Sequence, residues 1–69
     1  MVSFVSYVLQ SRNDDTALGD VARDMLDDIG INRRWGYKSL IRYLETNHNP
    51  CSAVLDILKQ AQFDYSIQG

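Results

Sequence analysis

Sixty-nine residues, 45% of them apolar and 23% charged, describe one small globular domain: the chain is too short to divide its apolar residues between two cores, and its balance excludes a disordered, fibrous or membrane class. No run approaches the ~18 to 20 apolar residues of a membrane span, and Met1-Val2-Ser3-Phe4 lacks the basic region that opens a secretory signal, so the expected compartment is the cytoplasm. A net charge of −2 does not mark the whole chain as a nucleic-acid binder, and the lone Cys51 excludes an internal disulfide or a metal cluster built on thiolates.

Three stretches of turn and cap residues, Arg12 to Asp15, the surroundings of Gly30, and Asn47 to Pro50, cut the chain into four apolar-periodic segments. The first spacing predicts a short helix over about 3–11, with Phe4, Tyr7 and Val8 on one face and the Ser3 hydroxyl at its cap. The second predicts a helix over about 16–29. Leu18, Val21, Ala22, Met25, Leu26 and Ile29 form its apolar stripe, Asp15 is the expected N-cap, and Gly30 is the expected left-handed stop. Gly19 inside that helix costs about 1 kcal/mol relative to alanine, which points to another backbone packed closely against it.

A third helix is expected over about 37–46, with Tyr37, Leu40, Ile41 and Leu44 facing the core and Asn47 as a left-handed stop. The fourth, over about 52–65, opens after Pro50 with Ser52 or Cys51 near the cap and runs Val54, Ile57, Leu58, Ala61 and Tyr65 along one side; Ser66 to Gly69 are expected to fray. No segment alternates like a strand. The expected architecture is an all-α, compact bundle of four short helices with non-parallel crossings.

Ser3-Phe4 with Tyr7, then Arg12, then Gly19-Asp20-Val21-Ala22 with Asp24 and Asp28, then Ile41 with Tyr43-Leu44-Glu45, together give the chain a recognisable pattern. It resembles the YozE-like family of small bacterial and phage proteins over nearly its whole length. The resemblance implies a fold similar to sterile alpha motif domains. It implies no particular biochemistry, because that family's role is unsettled. The chain departs from the family pattern at Ile31-Asn32, where an aromatic residue followed by proline is expected, and in the last helix, where Phe63 or Ala61 falls near an expected tryptophan.

Chemistry-bearing residues are few. His48 and Cys51 lie three apart, but a zinc site wants about four ligands and the chain has no other histidine or cysteine to complete one. A loop histidine beside a helix-capping or partly buried cysteine is the plainer reading. The expectation is therefore no enzyme, no metal, no cofactor and no small-molecule substrate.

Charge is the informative feature. Asp14, Asp15, Asp20, Asp24, Asp27 and Asp28 hold six of the nine acidic residues in one stretch, and Arg33, Arg34, Lys38 and Arg42 hold four of the seven basic ones just after it. Asp20, Asp24 and Asp27 fall at i, i+4, i+7, a ridge that with Asp28 forms a candidate acidic partner surface. Their spacing does not match a calcium loop. Arg33, Arg34, Trp35, Lys38 and Arg42 form a candidate basic and aromatic surface, with Arg34, Lys38 and Arg42 on one ridge if the third helix reaches back to Arg34.

Two surfaces of opposite sign suggest a protein–protein interaction module, whose partner is a host protein or a second copy associating head to tail. Weak nucleic-acid binding through the four cations, with Trp35 or Tyr37 stacking or buttressing, is the alternative. A third reading follows from the phage members of the resembled family: the aspartate ridge occupies a basic groove of a host protein.

Overall fold

The computed structural model describes residues 2–68, and within them the chain forms four helices: α1 (Phe4–Leu9), α2 (Ala17–Leu26), α3 (Tyr37–Asn47) and α4 (Ser52–Gln68). No strand occurs among the described residues, and no helix is long and apolar enough to cross a membrane. The small all-α bundle expected from periodicity is present. Its Cα radius of gyration of 10.9 Å matches the roughly 11 Å of a compact chain this long.

Though only six residues long, α1 is the central element and packs against each of the other three helices. Phe4, Val5, Val8 and Leu9 are buried there, which exceeds the one-face pattern expected of it. Around them close Val21, Ala22 and Met25 of α2, Leu40 and Leu44 of α3, and Leu58 and Ala61 of α4. Phe4 also anchors an aromatic cluster, meeting Tyr37 edge-on at 5.4 Å and Tyr65 at 5.6 Å between ring centroids.

The helix ends depart from expectation in instructive ways. Ser3 caps α1 as expected, accepting the Ser6 N–H at 3.2 Å. Thr16, not Asp15, caps α2, its hydroxyl accepting the Gly19 N–H at 3.0 Å. The reason is the turn before it. Carbonyls of Ser11 and Asp14 lie where a β-carbon on Gly19 would stand, so the chain is still turning at Asp15. The close backbone approach expected at Gly19 is therefore real.

At its other end α2 stops at Leu26 instead of running to Ile29. Asp27 and Asp28 close the last turn with N–H bonds to Asp24 and Met25 carbonyls three residues back. The Asp28 carboxylate then accepts the Gly30 N–H at 2.9 Å, an Asx turn that draws the backbone out of the helix. Gly30 is not the left-handed stop, since no described glycine has a positive φ. It is required because the Tyr43 hydroxyl occupies the place of a side chain there.

The left-handed residue after α3 is Asn49, with φ 45°, and Asn47 is the last helical residue. That conformation turns the Asn49 N–H back onto the Leu44 carbonyl at 3.0 Å, and Pro50 then blocks further helix. The opening of α4 is as expected, with the Cys51 carbonyl accepting the Val54 N–H at 3.2 Å. Its end does not fray: the helix persists through Gln68, because Tyr65 donates to the Val2 carbonyl at 2.6 Å and Gln68 to the Tyr7 hydroxyl at 3.3 Å. Gly69, the last residue of the expected frayed tail, lies outside the described residues.

Candidate functional site

The acidic stretch does not act as one ridge. Asp20 pairs with Arg23, whose guanidinium also donates to the Arg12 carbonyl at 2.8 Å and the Asp14 carbonyl at 3.2 Å, so this pair staples the α1–α2 turn. Asp24 and Asp27 are exposed and have no cation or hydrogen-bond donor for their carboxylates among the described residues. Asp28 is different again.

With its side chain only 19% exposed, Asp28 gathers three donors: the Gly30 N–H, the Tyr43 hydroxyl at 2.9 Å, and the His48 ring at 2.5 Å through Nε2. The Gly30 N–H above all, then Tyr43 and His48, hold its carboxyl below the ordinary value of 3.8 against the opposing effect of burial. The same bond raises the Tyr43 phenol above its ordinary 10.0. Asp28 thus belongs to a structural hub tying the end of α2 to α3 and the turn after it. As a carboxylate for a partner it is already occupied, which corrects its place in the acidic surface.

Nothing in the sequence pattern joined His48 to Asp28, twenty residues away. The clue was the unfavourable negative charge at the C-terminal end of α2, which a partner from elsewhere in the fold relieves. Cys51 is exposed, and no hydrogen bond joins it to His48 among the described residues. The two do not form a reacting pair in this geometry. Nor do three side chains of His, Cys, Asp or Glu converge as metal ligands among the described residues.

The basic segment is held by backbone bonds. Hydroxyls of Ser3 and Ser6 both donate to the Arg33 carbonyl, Ser6 at 3.0 Å, and the Trp35 carbonyl accepts the Val5 N–H at 3.2 Å in the first turn of α1. Asn32 turns the chain, its Oδ1 accepting the Arg34 N–H at 2.8 Å. Because Gly36 is extended and α3 begins at Tyr37, Arg34 lies in the loop. The three-residue ridge is reduced to Lys38 and Arg42.

Arg33, Arg34, Lys38 and Arg42 are all exposed, and none forms an ion pair among the described residues. Trp35 and Tyr37 are half-buried and face inward, Trp35 against Tyr43 at 5.3 Å and Tyr37 against Phe4.

A feature the sequence did not reveal lies beside Asp24 and Asp27. A cleft of about 490 Å³ opens where α2 stops short, walled by Val21, Met25, Leu44, Pro50 and Val54. Asp24 and Asp27 border it, and the Asp28–His48 pair closes one side. Ile29 borders it too, fully exposed although sequence periodicity places it on the core stripe. A second hollow of about 310 Å³ lies next to it and shares Met25, Asp28, Ile29 and Ile31 as lining, with Arg33 also beside it.

Among the described residues, fold and surface together define a small all-α domain with an acid-rimmed apolar cleft and an exposed, unpaired cationic segment. No protein-family model, curated protein or solved structure matches this chain.

Proposed function

We propose that this chain is a cytoplasmic, non-catalytic protein-binding module of the YozE-like kind, working through the surface at the end of α2. The observation that supports it is the apolar cleft bordered by two carboxylates without partners among the described residues. A domain this small gains from every apolar contact it can bury, so a fully exposed isoleucine beside an open apolar cleft suits a surface completed by another molecule.

Nucleic-acid binding is the second reading, favoured by four exposed cations that no carboxylate among the described residues neutralises. Trp35 and Tyr37 are engaged in packing, so the cations would act on phosphates without base stacking, and about four contacts give weak, strongly salt-dependent affinity.

Two-dimensional NMR of isotope-labelled protein separates these readings. Shifts on concentrating the protein at low salt, in both the Asp24–Asp27 and Arg33–Arg42 surfaces, identify the partner as a second copy. Shifts confined to Arg33–Arg42 on adding a mixed-sequence duplex, lost in the Arg33→Glu/Arg34→Glu variant, replace the protein-binding reading with the nucleic-acid one. Silence in both experiments directs the search to a partner protein of different sequence.

A further inference from the structure

We infer that the cleft is the docking groove for an amphipathic, cationic helix of a different protein, with an aliphatic or aromatic side chain entering between Met25, Leu44 and Val54 and flanking Lys or Arg residues meeting Asp24 and Asp27. This rests on the protein-binding reading and adds the partner's chemistry.

Three properties of the groove select that occupant. Its volume, about 490 Å³, lies within the ~300 to 1,000 Å³ of pockets that enclose a compact apolar group. Its free charge is negative, because Asp24 and Asp27 have no partner among the described residues while Asp28 is already bonded to Gly30, Tyr43 and His48. No strand edge exists among the described residues to pair with an extended peptide, so a helix laid in the groove is the mode the bundle offers.

A second copy fits less well. Beside the four cations, Trp35 and Tyr37 are packed against Tyr43 and Phe4 and are not free to enter a cleft. The exposed apolar pair on α4, Phe63 and Ile67, has Asp64 next to it and only Lys59 one turn away. Outside residues 29–34, whose Ile29 itself lines the groove, no described segment of the chain combines a free apolar anchor with clustered positive charge.

The test uses a synthetic leucine–lysine peptide of about 14 residues, long enough to fold as a helix on binding. Two control peptides accompany it, one with every lysine replaced by glutamate and one with every leucine replaced by alanine. Binding is followed on the full-length labelled protein by NMR, with sedimentation velocity on the protein alone.

Saturable binding of the leucine–lysine peptide is expected, with shifts at Val21, Ile29, Leu44 and Val54 and little response to either control. Asp24→Asn/Asp27→Asn is expected to weaken it about tenfold at low salt, and Ile29→Asp by at least as much; both changes are on the exposed surface and leave the core intact. Equal binding of the glutamate peptide, or shifts centred on Phe63 and Ile67, overturns the groove assignment. Failure of the peptide with a monomeric protein overturns it as well. A sedimentation coefficient rising with concentration, abolished by Arg33→Glu/Arg34→Glu, overturns the foreign-partner assignment while leaving protein binding standing.

Discussion

Individual residues in this chain are fixed by what lies against them more than by their intrinsic preferences, and Gly19 is the clearest case. Replacing a helical glycine with alanine ordinarily stabilises by about 1 kcal/mol. Here the added carbon meets the Asp14 and Ser11 carbonyls, the latter 2.9 Å away, and both belong to backbone that cannot swing aside. Gly19→Ala is therefore expected to destabilise by about 1 to 3 kcal/mol, the range of overpacked sites. Urea unfolding monitored by circular dichroism measures it, and a stabilised variant would show that the α1–α2 turn does not rest on this helix. The sequence made the close approach legible, since an interior glycine needs a reason. It did not make Gly30 legible, because a glycine beyond a helix suggests a left-handed turn, and the real cause is the Tyr43 hydroxyl arriving from α3.

At the scale of elements, periodicity located all four helices, and the errors collect at their ends. The end of α2 misled because Ile29 continues an i, i+3, i+4 pattern that nothing local interrupts. What stops the helix is the Asp28 carboxylate, engaged by Gly30 from its own turn and by Tyr43 and His48 from another element. The cleft was invisible for the same reason, since it exists only because the helix stops early. The basic residues were legible as a cluster, but their ridge was not, because its geometry depended on whether Arg34 was helical. The cap of α2 offers a direct check, as Asp15 and Thr16 are both competent caps and differ only in which one the preceding turn delivers. Thr16→Ala should cost about 1 kcal/mol, while Asp15→Ala should change stability by no more than a few tenths. The reverse order in thermal melts would restore Asp15 as the cap.

On the scale of the whole molecule, the Asp28 hub makes the fold's stability depend on pH at both extremes through one contact. The folded Asp28 carboxyl titrates below its ordinary value of 3.8, chiefly through the Gly30 N–H and next through Tyr43 and His48, so the folded state binds this proton less readily than the unfolded chain. Its contribution is complete above the unfolded value and is lost as pH falls through the lowered folded one. Tyr43 runs the other way. The folded phenol titrates above 10.0 because ionising it would withdraw its proton from the Asp28 bond and set two anions together, so its contribution is complete below the unfolded value and lost as pH rises through the raised one. Asp28→Asn keeps an oxygen acceptor for Gly30 and Tyr43 while removing the charge. The melting temperature should fall in this variant at neutral pH, and its deficit relative to the parent should hold steady down to about pH 4 and shrink below it as the parent's own carboxylate is protonated. Tyr43→Phe should narrow its deficit on the alkaline side instead, as the parent phenol ionises. Parallel melts of the three proteins across the pH range decide it: deficits independent of pH would mean that the carboxylate's charge contributes nothing to holding α2, α3 and the side of the cleft together.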